Sequence, residues 1–63
     1  MKHILFVKGI KSQDDVRKIT EALQETQLEF EVSLTNQAVI VHGRNDLVRI
    51  AKIAIMEAGY LVD

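Results

Sequence analysis

The residues of this chain best suited to chemistry are Ser12, Asp14 and Asp15, which fall in the run Ser12-Gln13-Asp14-Asp15, and the two histidines, His3 and His42. A hydroxyl and two carboxylates offer oxygen donors, which suit hard ions such as Mg(II) or Ca(II) rather than Cu(I). Two neighbouring carboxylates without a third fixed ligand bind such an ion weakly, and the adjoining Lys11 disfavours it further. His3 opens the first strand expected from the sequence and His42 closes the third, so antiparallel pairing sets them at one end of a sheet. Two imidazoles there could hold Zn(II), Ni(II) or Cu(II) given a third ligand, and none lies nearby in the sequence. Strand parity also divides them, because His3 shares the side of Leu5 and Val7 while His42 lies opposite to Val39 and Val41. Two solvated or half-buried histidines are expected.

Other chemistries find less support. The chain contains no cysteine, which removes disulfides, thiolate metal sites and cysteine redox chemistry. There is no nucleophile triad, no Gly-rich phosphate loop and no Arg in the loop after the first strand, so an enzyme is not expected. A net charge of −1 argues against binding nucleic acid by phosphate neutralisation. Phe6, Phe30 and Tyr60 are the only aromatics, too few for base stacking on a sheet. No apolar run approaches the roughly 20 residues that span a bilayer. The N-terminal run is too short for a signal peptide and lacks a small-residue cleavage site, so a cytoplasmic domain is expected.

The elements that must position these residues read as βαββαβ in a single domain over residues 1–63. Lys2 to Val7 is rich in β-formers and ends at Lys8-Gly9. Val16, Ile19, Ala22 and Leu23 recur at helical spacing between Ser12 and about Gln27. Leu28 to Thr35 alternates Phe30, Val32 and Leu34 against Glu29, Glu31 and Ser33, and Asn36-Gln37 turns the chain into Ala38–His42. Asn45 or Asp46 is expected to cap a second helix, with Leu47, Ile50, Ala51, Ala54 and Ala58 on its inner stripe. Gly59 stops that helix and Tyr60-Leu61-Val62 forms a short last strand. Two such units fold most simply as a ferredoxin-like α+β sandwich, a four-stranded antiparallel sheet with two helices on one face. ACT-like, acylphosphatase-like and RNA-recognition domains share that architecture.

Val7, Gly9, Val16, Ile19, Ala22 and Leu23 in the first half, Val32, Leu34, Val39 and Val41 in the second, and the closing Ala54-Ile55-Met56-Glu57-Ala58-Gly59-Tyr60 together narrow the choice. This pattern resembles the heavy-metal-associated domains, the family of copper chaperones, over nearly the whole chain. In that family a strand ends in V-x-G-M-T-C-x-x-C-V, and the two cysteines bind Cu(I) or Zn(II). The resemblance sets Ser12 and Asp15 at the cysteine positions and Ile10 at the methionine, so the chain is similar to a degenerate member. It also implies that Tyr60 lies near the loop, where it is expected to pack on Ile10, while Gly9 gives the backbone its freedom to leave the strand. The family's docking face toward P-type ATPase metal-binding domains corresponds to the region of Lys8, Lys11, Arg17 and Lys18, which could meet an acidic partner. One milder departure is Thr26-Gln27, where the family has Gly-Val.

Ser12-Gln13-Asp14-Asp15 has a second reading as a capping box, with Ser12 covering an orphan amide and the carboxylates favouring the helix dipole. Parity adds a surface: if Leu5, Val7, Val39 and Val41 face the helices, then Ile4, Phe6 and Ile40 face the open side of the sheet. Exposed apolar side chains there mark a contact surface once they form a patch. The expected function is a non-enzymatic binding module without a cofactor, acting on another protein or on itself, a homodimer included. One alternative is a metal carrier that uses Ser12, Asp14, Asp15, His3 or His42, with Cu(I) disfavoured; another is an ACT-like small-molecule sensor.

Overall fold

A computed structural model describes all 63 residues, Met1–Asp63. The elements follow in the order β1 (Lys2–Lys8), α1 (Gln13–Gln24), β2 (Glu29–Ser33), β3 (Ala38–His42), α2 (Asn45–Glu57) and β4 (Leu61–Val62). They form one antiparallel sheet in the order β2-β3-β1-β4, with both helices on one side. This is the expected ferredoxin-like sandwich, and β1 and β3 are its central neighbours. The register sets Ile4 against Ile40, Leu5 against Val39 and Phe6 against Ala38.

Alternation along the strands sends Leu5, Val7, Val39 and Val41 under the helices, where they are buried with Ile19 and Leu23 of α1 and Ala51, Ala54 and Ile55 of α2. Phe30, Val32, Leu34 and Val16 pack against this core while keeping some exposure. Small residues at 51 and 54 let α2 approach the sheet closely, since alanine adds little bulk between backbone and strand. No helix is long and apolar enough to cross a membrane.

The ends of the elements differ from expectation in ways that have local causes. Ser12 occupies the N-cap of α1 in an extended conformation, but its side chain makes no capping hydrogen bond. Arg44, not Asn45 or Asp46, is the N-cap of α2; its carbonyl accepts the Leu47 N–H at 3.0 Å, and no side chain caps this end either. Ile50 leaves the expected inner stripe and is 44% exposed, because the buried face centres on Ala51, Ala54 and Ile55. The β2–β3 connection is a four-residue turn, closed by Gln37 N–H donating to the Leu34 carbonyl at 3.3 Å, with Gln37 at φ +51°. At the end of α1, Gln27 takes the left-handed conformation at φ +62° where the heavy-metal-associated pattern has a glycine nearby. Thr26 supports that turn: its hydroxyl donates to the Leu23 carbonyl at 2.5 Å and accepts the Leu28 N–H at 3.3 Å.

Candidate functional site

The segment between β1 and α1 is held from three sides. Gly9 leaves the strand at φ +105°, and a side chain on it would come within 3.3 Å of the Tyr60 ring. Ile10 follows, fully buried in the core. Ser12 then opens the helix, its carbonyl accepting the N–H groups of Asp15 and Val16 at 3.1 and 3.2 Å. Tyr60 reaches this loop because α2 ends in a Schellman turn. Gly59 adopts φ +100°, its N–H donates to the Met56 carbonyl at 3.0 Å, and the Tyr60 N–H donates to the Ile55 carbonyl at 3.3 Å. The motif's customary apolar contact, between the residue after the glycine and the one five before it, falls here on Tyr60 and Ile55, both core residues.

Asp15 ties these parts together. One carboxylate oxygen, Oδ2, accepts the Lys11 N–H at 2.9 Å; the other, Oδ1, accepts the Tyr60 hydroxyl at 2.5 Å. The hydrogen bond from Tyr60, and then that from the Lys11 backbone, hold the Asp15 carboxyl below its ordinary value. The same bond to Asp15, followed by burial and by the negative charges of Asp15 and Asp14, pushes the Tyr60 phenol up to about 12. The acidic residue at the third helical position reaches back as in a capping box, but to the Lys11 N–H, one residue before the N-cap. The serine half is absent, and the exposed Ser12 hydroxyl is left to solvent.

The remaining candidate residues are dispersed. Asp14 accepts from Arg17 Nη2 at 3.1 Å on the exposed face of α1. Lys8 pairs with Asp63 at 3.6 Å across the β1–β4 edge, and Lys11 and Lys18 remain exposed near the loop. His3 and His42 sit at the same sheet end but on opposite faces, since their cross-strand partners are Val41 and Lys2 respectively. His3 Nε2 lies 3.0 Å from the Gly43 carbonyl, and His42 Nε2 lies 3.1 Å from Glu31 Oε2. Nowhere do three or more histidine or carboxylate side chains converge as a metal would require.

On the open side of the sheet, Ile4 is 52% and Phe6 57% exposed, with Ile40 partly covered. With Ala38, Ser33 and Asn36 they line a shallow hollow of about 260 Å³. Sequence reasoning missed Leu61, which pairs with Lys8 and so shares this face. Its parity was open only because the register of so short a strand is not fixed by its own alternation.

No protein-family model matches the sequence, and no curated protein matches it. Solved structures do. The CopZ metallochaperone superposes with a TM-score of 0.86 at 27% identity, covering all of both chains. A heavy metal binding protein from Thermotoga maritima gives a TM-score of 0.86 at 26% identity, over all of this chain and 92% of that one. The copper chaperone Atx1 from Synechocystis gives 0.78 at 28% identity, over 97% and 98% of the two chains. The chain has the heavy-metal-associated fold and no thiol. A soft ion does not suit the loop: its donors are a hydroxyl and carboxylates, and both oxygens of Asp15 are already engaged within the chain.

Proposed function

We propose that this chain is a non-enzymatic binding module of heavy-metal-associated form that has lost the thiolate site and acts by contact with another protein. The observation that carries this reading is the double engagement of Asp15. In the family resemblance, thiolates at positions 12 and 15 gather the loop and the helix start around an ion. Here the Asp15 carboxylate gathers the same segment by accepting from Lys11 and Tyr60, so the loop is ordered without cargo. What the fold then contributes is its surface. Lys11 and Lys18 beside the loop suit an acidic partner, a P-type ATPase metal-binding domain being the kind that the resemblance suggests. A cytoplasmic location goes with this reading, and neither nucleic acid nor membrane is a partner in it.

The test is a titration of the wild-type chain with Cu(I), Zn(II), Ni(II) and Mg(II), followed by heteronuclear NMR. No saturable shift is expected. Saturation at micromolar metal confined to residues 9–15 would refute the reading in favour of a carrier with oxygen ligands. Saturable shifts at His3 or His42 would refute it equally and move the site to the sheet end.

A further inference from the structure

The open face of the sheet carries charges of both signs, but each sign has its own strand. Glu29 and Glu31 project from β2, and Lys2 and Lys8 from β1, with Ile40 on β3 between the two strands. Lys2 and Glu29 join no ion pair of the chain, and Glu31 meets only His42, at 3.1 Å. Shape varies along the face as well. Phe6 stands out from β1 directly across from Ala38, the smallest side chain of the face, and both line the hollow of about 260 Å³.

We infer that this face pairs with the same face of a second copy, about a twofold axis parallel to the strands and midway between β1 and β3. This rests on reading the chain as a protein-binding module and names its partner. Rotation about that axis exchanges β1 with β3 and keeps each residue at its own level along the strands. Every side chain then faces the copy of its own cross-strand neighbour, so the register sets the contacts: Phe6 on Ala38, Ile4 on Ile40 and Lys2 on His42. Large meets small at Phe6, whose ring enters the hollow over Ala38 in the other copy, and symmetry repeats the insertion. Aligned sheets pack in this manner, about 10 Å apart with side chains interleaved. β2 comes to lie over the place of β4, which pairs only with Val7 and Lys8. The Glu29 and Glu31 carboxylates of one copy therefore overhang the bare flank of β1 in the other, beside Lys2. Lys8 falls toward the β2–β3 turn of the other copy, residues 34–37, which carries no charge. The other in-plane twofold, across the strands through the apolar centre, sets Lys2 over Lys8 and opposes like charges. A face that maps onto itself closes at two copies. Few side chains take part, so the interface is small, with a dissociation constant on the order of 0.1–1 mM.

The experiment is sedimentation of the full chain at low ionic strength, from about 10 μM to about 1 mM, a range that brackets that constant. Wild type is compared with Phe6→Glu, Lys2→Glu, Glu29→Lys and the double variant Lys2→Glu with Glu29→Lys, each checked for folding by circular dichroism. The wild-type weight-average mass is expected to rise above the 7.1 kDa of one chain and to stay below twice that value. Phe6→Glu is expected to remain monomeric. Each single charge variant sets like charges together at two symmetry-related places, and its dissociation constant is expected to rise roughly tenfold. The double variant exchanges the two signs, keeps the net charge of −1 and is expected to regain the wild-type curve. A wild type that stays monomeric up to about 1 mM would overturn the inference, as would a mass beyond two copies. Single charge variants that dimerise like wild type, or a double variant no stronger than they are, would overturn it too. None of these failures alters the metal titration, so loss of this inference and loss of the binding-module reading are separately visible.

Discussion

Tyr60 is the only tyrosine and the chain has no tryptophan, so its ionisation can be followed by ultraviolet difference absorbance without interference. The structure places its hydroxyl on Asp15 and raises its pKa to about 12, from an ordinary value of 10.0. A phenol of ordinary pKa is about 90% ionised near pH 11, whereas one at about 12 is only about 10% ionised there. The hydrogen bond to Asp15 is the largest cause, ahead of burial and of the negative charges of Asp15 and Asp14. Asp15→Ala removes the acceptor and its charge together, so the midpoint should fall most of the way back toward 10, held above it by burial. Asp15→Asn keeps an acceptor without the charge and should fall in between. Because the phenol is raised in the folded state, its contribution to stability is complete below about pH 10 and disappears as pH rises through about 12. Asp15 is lowered, so its contribution is complete above the ordinary value of 3.8 and is lost as pH falls through the lower folded value. Between those limits the loop should hold its full stability. A wild-type midpoint near 10 would show that the bond does not form in solution. An Asp15→Ala midpoint still at about 12 would show that burial, and not Asp15, sets the value.

Three further outcomes are expected. Ile10→Ala, which empties a fully buried position, should lower stability by about 2–5 kcal/mol in urea unfolding; a loss under about 1 kcal/mol, the level of a surface change, would mean that the loop is not anchored through this side chain. Gln27→Gly should stabilise the chain by roughly 1 kcal/mol, because Gln27 holds φ +62° at a cost that glycine avoids, and a destabilised variant would show that Thr26 alone makes the turn favourable. Ser12→Cys combined with Asp15→Cys should let the chain take Cu(I) from a chromophoric competitor where wild type does not; failure of the double variant to do so would mean that the loop frame differs from that of the copper proteins.

The alternation of Phe30, Val32 and Leu34 and the helical spacing of Ile19 and Leu23 made the element order readable, because burial on one face imposes a period on the sequence. Gly59-Tyr60 was readable for a related reason: only a glycine ends a helix cheaply in the left-handed conformation, and the next residue is thrown back onto the core. Side-chain choices at helix ends were less readable. Ser12 has the right type for a cap, yet the carboxylate of Asp15 serves the loop instead, drawn by a phenol 45 residues away. No local pattern encodes a partner at that separation. Spacing sets Ile53 and Met56 outside the stripe of Ala51 and Ala54, whereas Ile50 lies at the edge of that stripe, where spacing alone does not decide which side it takes. Leu61 was hidden by the brevity of β4, where two residues fix no phase of their own.

That brevity bears on when the molecule can form. β1 is made first and lies inside the sheet, between β3 and β4. Its neighbours arrive later: β3 pairs with it from residue 38 onward, and the opposite edge is closed only at the end by Leu61 and Val62, together with the Asp63 N–H donating to the Phe6 carbonyl at 2.8 Å. The β1–β3 pairing closes a loop of about half the chain and the β1–β4 pairing one of nearly all of it, which slows folding relative to a helical bundle of equal size. A chain emerging from the ribosome therefore cannot complete its sheet until residue 62 is free, and Tyr60 reaches Asp15 only in that same late step.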